Sequence, residues 1–458
     1  MKLLIIGAGP GGYETAISAS RMGFETILIE SGNLGGTCLN AGCIPTKAYC
    51  RSAEIAEEVR ISRSFGIGSG GCTVDFPAVK ARKDGIVESL RAGIGTLLEQ
   101  SGVQVVHGRA EFRDARTVSA DGVEYTADYI IIATGSVPVM PDIPGITLPQ
   151  VLDSTSLLEM DTLPGRLCII GGGVIGLEFS SVFRSFGCDV TVVEFCREIL
   201  PRFDQDIARR LRQGLARRGI KFCLQSAVTS VGSVQEEGRD CVKVTWSRKG
   251  TESSCIADKV LVAVGRRPDC RALNPEAAGV RVEKGAVPVD EDMRTAVPWI
   301  FAIGDVNGRQ LLAHAAVFQG KRALAAIARD FGVAAPGNGT ADLAVMPSAV
   351  FTMPEAAAVG LTEEECRERN IGYKVCRSFF RANGKAVCLG ETEGLCKLLV
   401  STVDGSILGC HITGPGAAGM VQEAASLMSA RAGLDILRNT VHIHPTLGEV
   451  LLDAAEEA

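Results

Sequence analysis

The chain has 458 residues, of which 46% are hydrophobic and 22% charged, and it carries a formal net charge of −6. This composition predicts a globular protein of several domains and excludes a broadly basic surface for nucleic acid, and no apolar run reaches the roughly 18 residues of a membrane span. Sixteen cysteines in a chain for which we expect no secretion signal indicate a reducing compartment. The lack of a Cys-x-x-Cys spacing argues against zinc or another bound metal.

The chain opens on a predicted dinucleotide-binding unit. The apolar run at 3–6 is typical of a buried parallel strand. Because it lies so near Met1, we expect no signal or transit peptide and a cytoplasmic protein, although a processed organelle protein would have the same features. A G-x-G-x-x-G fingerprint, a helix to about Met22 and a strand at 26–30 follow. Such units bind a pyrophosphate and a ribose, so the predicted ligands are Gly7, Gly9, Pro10, Gly12 and Glu30.

The next stretch, residues 35–47, holds Cys38 and Cys43 with four residues between them, among three glycines and a proline. The spacing lets the two sulfurs meet, since a disulfide needs Cα atoms within about 7 Å. Spacing alone equally allows two unrelated buried thiols. Pro45 suits the first turn of a helix, which would place Cys43 at a helix N-terminus and favour its thiolate.

A second dinucleotide-binding unit begins at 167 and repeats the first. Gly171 to Glu194 spans the same number of positions as Gly7 to Glu30, with strand, fingerprint, helix, strand and acid in the same order. Two such units indicate two dinucleotides, and the alternative is one working site and one structural remnant. The predicted contacts in the second unit are Gly171, Gly173, Val174, Ile175, Gly176, Glu178 and Glu194.

The stretch at 35–47 reads GGTCLNAGCIPTK and closely resembles the redox-active disulfide of the flavoprotein disulfide reductases, most of all the dihydrolipoamide dehydrogenase family. The resemblance implies a Cys38–Cys43 disulfide that exchanges electrons with a flavin. A flavin must stay beside the disulfide while a nicotinamide comes and goes, so we expect FAD in the first unit and NAD in the second. Glu194 favours NAD over NADP because its charge repels a 2′-phosphate, whereas the nearby Arg197 works in the other direction.

Further elements are predicted between and after the two units. Helices are expected at 48–63, 76–99 and 204–218, the last a basic helix whose simplest role is a solvated face. Strands are expected within 103–129 around a turn at Asp121-Gly122, then at 129–132, within a meander at 228–257, and at 260–264 and 300–303. The Pro-rich stretch 138–149 is expected to be a linker between domains.

Several strand ends in this part resemble the segments with which the family holds its flavin. The resemblance adds the following residues to the cofactor site: Gly36, Thr37, Lys47, Ala110, Thr134, Gly135, Ser136, Gly265, Arg266, Gly304, Asp305, Leu312, Ala313 and His314. It implies that Lys47 lies by the flavin ring and Asp305 by the ribityl–phosphate region, although Asp305 could instead cap a turn. For His314 we expect backbone contact with the flavin, with a packing histidine as the alternative.

The last part of the chain is a different kind of unit. A linker is predicted at 330–341, followed by strands at 349–351, 374–379, 396–401 and 407–412, a helix with a capping box at 362–365 and a helix at 420–432. This mixed antiparallel unit resembles the family's dimerisation domain. The predicted fold is therefore α/β, with two Rossmann-like domains for FAD and NAD and an α+β dimerisation domain. The expected boundaries are 1–147 and 269–337 for the FAD-binding parts, 148–268 for the NAD-binding domain and 338–458 for dimerisation.

The sequence HIHPTLGE at 442–449 resembles the family's His-Pro-Thr-x-x-Glu motif, whose histidine before the proline is the catalytic acid–base. The resemblance implies that His444 is that residue and that Glu449 orients its ring. Thr446 and Glu449 also form a capping box for the last helix, and both roles can hold. On an extended chain, His442 would point the same way as His444.

The resemblance implies oxidation of protein-bound dihydrolipoamide by NAD⁺ in a homodimer, because the family's histidine serves the disulfide of the other subunit. The partner would be the lipoyl-bearing E2 or H-protein of a multienzyme complex. Glutathione-type reductases share the disulfide and histidine but carry arginines at the position of Glu194, and mercuric reductases carry a C-terminal cysteine pair that 451–458 lacks. A non-catalytic flavin-binding assembly subunit is a further alternative, against which the intact cysteines, His444 and Glu449 argue.

Overall fold

The computed structural model describes residues 1–68, 70–332 and 341–457. The strands are β1 (Lys2–Ile6), β2 (Glu25–Glu30), β3 (Gln104–His107), β4 (Ala110–Phe112), β5 (Thr117–Ala120), β6 (Val123–Thr126), β7 (Tyr129–Ile132), β8 (Ser136–Pro138), β9 (Val151–Leu152), β10 (Arg166–Ile170), β11 (Asp189–Val193), β12 (Lys221–Cys223), β13 (Ala227–Glu236), β14 (Arg239–Arg248), β15 (Thr251–Ala257), β16 (Lys259–Val262), β17 (Arg266–Pro268), β18 (Ile300–Ala302), β19 (Ser348–Val350), β20 (Glu355–Gly360), β21 (Tyr373–Ser378), β22 (Leu395–Ser401) and β23 (Ile407–Gly414).

The helices are α1 (Pro10–Arg21), α2 (Gly36–Ala41), α3 (Cys43–Ile61), α4 (Phe76–Gln100), α5 (Ser154–Leu158), α6 (Val174–Ser185), α7 (Gln205–Arg217), α8 (Ala313–Asp330), α9 (Glu363–Glu368), α10 (Gly384–Leu389), α11 (Ala417–Ser429), α12 (Leu434–Asn439) and α13 (Glu449–Glu456). Short 3-10 turns occupy Ser62–Phe65, Arg271–Leu273, Pro275–Ala278, Gly304–Asn307 and Phe380–Ala382. Over the residues described, none of the helices is both long and apolar enough to cross a bilayer.

The chain divides into two compact units. The first comprises 1–48, 80–139 and 265–343, and the second comprises 49–79, 140–264 and 344–458 as far as the structure describes them. The linker predicted at 330–341 and the domain boundary predicted at 337/338 fall largely on 333–340, outside the described residues.

The first unit is built on a parallel sheet with the strand order β18-β7-β1-β2-β3. Its central strand β1 is apolar from Leu3 to Ile6, as expected of a strand whose two faces are both covered. Leu3 and Ile5 face a cluster shared with α1 and α8. Leu4 and Ile6 face a cluster shared with the antiparallel strands β4, β5 and β6.

The second unit contains a parallel sheet built in the same way, with the order β12-β11-β10-β16-β9. On one face, Leu167 and Ile169 of β10 pack against α6 and α7. On the other face, Cys168 and Ile170 pack against the antiparallel meander β13-β14-β15. The predicted meander and the predicted α/β class are both confirmed.

The C-terminal part of the second unit is an antiparallel sheet with the order β19-β20-β23-β22-β21, packed against α11, α12 and α13. The capping box predicted for α9 is present, since Thr362 accepts from the Glu365 N–H and Glu365 accepts from the Thr362 N–H. The predicted basic helix is α7, but it is more than a solvated face. Its N-cap, Asp204, is fully buried and paired with the equally buried Lys397 at 2.9 Å.

Candidate active site

The first fingerprint has the geometry that a bound pyrophosphate requires. Gly7 has φ +102°, and a side chain there would strike the Ala133 carbonyl, while one at Gly12 would strike the Gly7 carbonyl. At Gly9 a side chain would meet nothing within 4 Å, so the loop is open where a ligand must approach. Pro10 begins α1, whose N-terminus favours an anion.

The acid of the first unit is anchored to the fingerprint itself. One oxygen of Glu30 accepts from the Ala8 N–H at 2.6 Å, and the other accepts from the Gly32 N–H at 2.7 Å. Each carboxylate oxygen keeps a second lone pair for a ribose hydroxyl. On the adjacent strand, Gly108 donates its N–H to the Glu30 carbonyl at 2.9 Å, which brings the segment before Ala110 to this edge of the sheet.

The second fingerprint repeats this arrangement position by position. Gly171 has φ +110° and would collide through a side chain with the Ala263 carbonyl, Gly176 would collide with the Gly171 carbonyl, and Gly173 is open. Glu194 accepts from the Gly172 N–H at 2.5 Å and from the Cys196 N–H at 2.6 Å. Both units therefore fit a dinucleotide, which argues against the second being a remnant.

Glu178, on α6 after the second fingerprint, is buried. Its carboxylate accepts from the Phe351 N–H at 3.0 Å. The contact joins the helix of the second fingerprint to the segment after β19. Glu178 therefore has a protein partner in addition to the nucleotide contact predicted for it.

The two cysteines of the 35–47 stretch lie on consecutive helices. Cys38 is half-buried on α2, and α3 begins at Cys43, as Pro45 predicted. Both are thiols here, and the Cys38 thiol is hydrogen-bonded to Cys43. That hydrogen bond and burial raise the pKa of Cys38 well above its usual value, and the positive charge of Lys47 opposes the rise. The two thiols therefore interact with each other and are not two unrelated buried thiols.

The loop that carries the cysteines rests directly on the first fingerprint. Gly36 has φ +56°, and a side chain there would strike the Cα atom of Gly9. Gly35 donates its N–H to the Ala8 carbonyl at 2.8 Å. The thiol pair is thereby fixed beside the open part of the dinucleotide loop.

Asn40 and Arg91 hold this loop in shape, a role that the sequence reasoning missed. The Asn40 amide donates to the carbonyls of Leu34 and Gly36, each at 2.9 Å. Its carbonyl oxygen accepts from Arg91 on α4 at 2.8 and 3.0 Å. The position of Asn40 between the two cysteines is a signal that could have indicated its role, but nothing in the sequence around Arg91 indicates this contact.

Tyr13, on α1, was also missed. Burial raises the pKa of Tyr13 to about 12, with further contributions from Glu14 and from the charge of Cys38. The phenol therefore stays neutral close to the thiol pair. A tyrosine three residues into a helix carries no sequence signal of such a neighbour.

Four predicted cofactor residues of the first unit converge in one hydrogen-bonded group. Arg266 donates to the Ser136 hydroxyl at 2.8 Å and to the Ser136 carbonyl at 2.6 Å, and a longer contact of 3.5 Å reaches the Thr37 hydroxyl. The Ser136 hydroxyl donates to Asp305. Burial raises the pKa of Asp305, and the Ser136 hydrogen bond and the Arg266 charge counteract part of that rise.

The pairing of β8 with β17 explains why these residues meet, since it joins Ser136 to Pro268 and Pro138 to Arg266. The neighbouring Thr134 donates its hydroxyl to the Asp269 carbonyl at 2.7 Å. The turn 304–307 has no side-chain cap, so the alternative of a capping Asp305 is wrong.

The segment after Asp305 approaches the first fingerprint through small residues. Side chains placed at Gly304 and Gly11 would both press against the Cβ atom of Ala316, on α8. Leu312 is the N-cap of α8 and Ala313 its first residue. His314 is exposed, which contradicts the alternative of a buried packing histidine.

In the second unit, His444 and Glu449 form the predicted pair. His444 Nδ1 lies 2.9 Å from one Glu449 oxygen, and the other oxygen accepts from the Thr446 N–H at 2.8 Å. These contacts, with the Thr446 N–H first, lower the pKa of Glu449 and keep it ionised. With Nδ1 bound to the carboxylate, Nε2 is the ring nitrogen that faces outward as a base.

Two expectations for this segment need correction. Only half of the capping box forms, because α13 begins at Glu449 and Gly448 at its N-cap makes no side-chain cap bond. The side chain of His442 does not point the same way as that of His444. The His442 side chain is 10% exposed, whereas the His444 side chain is 79% exposed. His442 instead lies 3.1 Å from Glu423 of α11 and 2.9 Å from the Thr440 carbonyl.

Two family models match the chain. The model described as "Pyridine nucleotide-disulphide oxidoreductase" matches residues 1–320, and the model of that family's "dimerisation domain" matches residues 346–455. Together with the two dinucleotide-binding units, these matches define the class: the chain belongs to the pyridine nucleotide-disulphide oxidoreductase family and is an oxidoreductase. Membership implies FAD and NAD as cofactors, and the dimerisation domain supports a homodimer.

Individual relatives of the chain have more specific names than the family. Dihydrolipoyl dehydrogenase from Geobacillus stearothermophilus is 38% identical over 99% of this chain and 95% of its own length. The enzyme of the same name from Thermus scotoductus is 38% identical over 99% and 96%. Among solved structures, the HOCl-induced flavoprotein disulfide reductase RclA from Escherichia coli superposes with a TM-score of 0.87 at 32% identity, covering 100% of this chain and 99% of that one.

Proposed function

We propose that this protein is an NAD-dependent dihydrolipoyl dehydrogenase. The observation that carries the proposal is the contact of 2.9 Å between His444 and Glu449, which equips the chain with an oriented base for a thiol substrate. The relatives named dihydrolipoyl dehydrogenase support the same substrate class.

The proposed chemistry begins at His444. Its Nε2 takes a proton from one thiol of dihydrolipoamide while Glu449 stabilises the imidazolium. The substrate thiolate attacks the Cys38 sulfur, the Cys38–Cys43 bond breaks, and Cys43 leaves as a thiolate. The second substrate thiol then displaces Cys38 and closes the lipoamide disulfide. The residues around the first fingerprint would hold FAD, which would supply the two-electron transfer between the dithiol and NAD⁺ held by the second unit.

The hydrogen bond at Cys38 supports these different roles for Cys38 and Cys43. The hydrogen bond to Cys43 and burial raise the pKa of Cys38, which favours the protonated form of Cys38 in the reduced pair. Lys47 supplies a positive charge next to the pair and, in this proposal, next to the flavin ring. In this proposal Cys38 is the interchange thiol, and Cys43 is the thiolate that faces the flavin.

The proposal extends to the assembly. His444 of one subunit serves Cys38 of the other, so the complete site exists only in the homodimer. The substrate is the lipoyl group of an E2 or H-protein in the cytoplasm. The domains are those expected from the sequence, with FAD held by 1–147 and 269–337, NAD by 148–268 and the dimer by 338–458. The cofactor contacts are the predicted ones, including Gly135 and Gly265 at the strand ends beside Ser136 and Arg266.

The decisive experiment is a steady-state comparison of three reactions on the purified holoenzyme: dihydrolipoamide with NAD⁺, dihydrolipoamide with NADP⁺, and glutathione disulfide with NADPH. We expect turnover with the first pair to exceed the others by about 100-fold, since a charge clash or a missing substrate contact costs about 3 kcal/mol. Preference for glutathione disulfide would favour another disulfide reductase, as the likeness to RclA allows.

A variant pair tests the mechanism. Cys43→Ser removes the leaving sulfur, and turnover of dihydrolipoamide should fall by about 1,000-fold or more, as for loss of a covalent nucleophile. Cys388→Ser is the matched control, because Cys388 is also exposed and lies on α10 in the other unit. Full activity in the Cys43→Ser variant would exclude the proposal.

A further inference from the structure

Three further thiols lie together in the second unit. Cys168 is fully buried in the middle of β10, and the half-buried Cys223 of β12 and Cys255 of β15 pack against the same hydrophobic cluster. We propose that Cys168 and Cys255 form a second, reversible dithiol–disulfide pair that is oxidised by peroxide. This pair is separate from Cys38 and Cys43 and does not depend on the identity of the enzyme's substrate.

The backbone brings the two residues side by side. Just after β15, Asp258 donates its N–H to the Arg166 carbonyl at 3.0 Å, and Arg166 donates its own N–H to the Asp258 carboxylate at 2.8 Å. These bonds fix the end of β15 against the start of β10, with Cα atoms of the two strands within 8 Å. A disulfide needs Cα atoms within about 7 Å, so the spacing between these two strands is close to the one that a disulfide requires.

The thiols are already in contact, because the Cys168 and Cys255 side chains are hydrogen-bonded to each other. The hydrogen bond and burial raise the pKa of Cys168. The pKa of Cys255 is lowered, first by the hydrogen bond from Cys168 and then by the charges of Lys221 and Arg166, although burial opposes the change. Cys255 is therefore the more readily ionised and the more accessible of the two thiols, as a nucleophile toward an oxidant must be.

The proposed oxidation has two steps. The Cys255 thiolate attacks one oxygen of hydrogen peroxide, the O–O bond breaks, and Cys255 sulfenic acid and hydroxide form. The Cys168 thiol then attacks the Cys255 sulfur, the S–O bond breaks, and water leaves as the disulfide closes. The two sulfurs together lose two electrons and two protons, and the peroxide is reduced to two molecules of water. A dithiol reductant reverses the reaction.

A second pair of neighbouring cysteines in the same chain serves as a comparison. Cys396 of β22 and Cys410 of β23 are also hydrogen-bonded to each other, yet both are fully buried beneath the helices of the C-terminal sheet. Contact between the two sulfurs is common to both pairs. Only the Cys168–Cys255 pair has a half-buried thiol, Cys255, beside positive charges. Peroxide should therefore oxidise the Cys168–Cys255 pair and leave Cys396 and Cys410 reduced.

The test is a peroxide titration of the folded holoenzyme, followed by alkylation of the remaining thiols and peptide mapping by mass spectrometry. We expect a cross-linked peptide joining the segments of Cys168 and Cys255, lighter by two hydrogens and cleaved by dithiothreitol. In Cys255→Ser the cross-link should disappear and Cys168 should remain reduced. The Cys38–Cys43 cross-link, which maps to other peptides, should be the same in both proteins.

Three outcomes would overturn the proposal: over-oxidation of Cys255 without a cross-link, a cross-link from Cys255 to Cys223 instead, or oxidation of Cys396 and Cys410 at the same peroxide concentration. The half-buried position of Cys255 makes a serine there a mild change. Circular dichroism of Cys255→Ser should therefore match that of the parent protein, which separates loss of the cross-link from loss of the fold.

Discussion

The two parallel sheets of this chain are built alike. Each has a central apolar strand, β1 or β10, that leads into a fingerprint helix, α1 or α6. Each sheet is covered by helices on one face and by three antiparallel strands on the other. Even the acid at the end of the second strand makes the same two backbone hydrogen bonds in both.

The two units differ in the segment that follows Glu30 in the first and Glu194 in the second. After Glu30 the chain turns back, and Gly36 places the cysteine loop against Gly9. After Glu194 comes Phe195, which is 75% exposed. The chain then turns back so that Leu200 donates its N–H to the Gly172 carbonyl at 3.0 Å, but this segment carries no cysteine pair. The first fingerprint is thus flanked by the loop that carries Cys38 and Cys43, as expected of the unit that holds the flavin. The second is flanked by a segment without such a pair, as expected of the unit that binds NAD.

The strongest test of this comparison is to place a methyl group in each fingerprint. Gly12→Ala would strike the Gly7 carbonyl and Gly176→Ala the Gly171 carbonyl. Overpacking of this kind costs up to about 3 kcal/mol, or about 100-fold in affinity. We expect Gly12→Ala to lose bound flavin and Gly176→Ala to keep it but to require about 100-fold more NAD⁺.

The measurements are the flavin absorbance per chain and the KM for NAD⁺. Gly93→Ala is the control, because a methyl group at Gly93 of α4 meets nothing within 4 Å. If Gly176→Ala released the flavin and Gly12→Ala retained it, the assignment of the two units would have to be exchanged.

A smaller effect is expected from the loop that distinguishes the first fingerprint. Asn40→Ala removes two hydrogen bonds to loop carbonyls and leaves Arg91 without its acceptor. At about 1 kcal/mol per hydrogen bond, we expect kcat with dihydrolipoamide to fall about 10- to 30-fold with flavin content unchanged. Asn33→Ala, an exposed position in the same loop, should stay within about twofold. Equal losses in the two variants would contradict a positioning role for Asn40.

The smallest expected effect concerns stability and its pH dependence. Burial raises the pKa of Asp305 in the folded apoprotein above its unfolded value, so ionisation of Asp305 opposes folding. The stabilisation that comes from the protonated carboxyl is complete at pH values below the pKa of Asp305 in the unfolded chain. It is lost as the pH rises through the pKa of Asp305 in the folded protein. Asp305→Asn should therefore raise the Tm of the apoprotein by a few degrees at neutral pH and by less in acid.

Thermal unfolding followed by circular dichroism between about pH 2.5 and 8 measures this difference (a range that brackets the usual carboxyl pKa of about 4). The same variant should bind flavin less well, because the carboxylate that Ser136 and Arg266 orient is gone. An increase in Tm that was independent of pH would indicate that Asp305 is not the titrating group.

The sequence determined the features that depend on neighbours along the chain. Strands β1 and β10 follow from short apolar runs, and both fingerprint turns follow from glycines at fixed offsets. The start of α3 at Cys43 follows from Pro45, and the pairing of His444 with Glu449 spans a single turn of chain. Each of these depends on local periodicity or on backbone angles, which the residues themselves restrict.

Only the tertiary structure decided which distant side chains meet. Arg91 reaches Asn40 across 51 residues, and Ser136 reaches Asp305 across 169. Tertiary packing also separates His442 from His444 and brings Cys255 to Cys168. Such contacts are set by the order in which strands join a sheet and by how helices pack on it. No local pattern encodes them, because a hydrogen bond needs its two partners close in space and is indifferent to their separation along the chain.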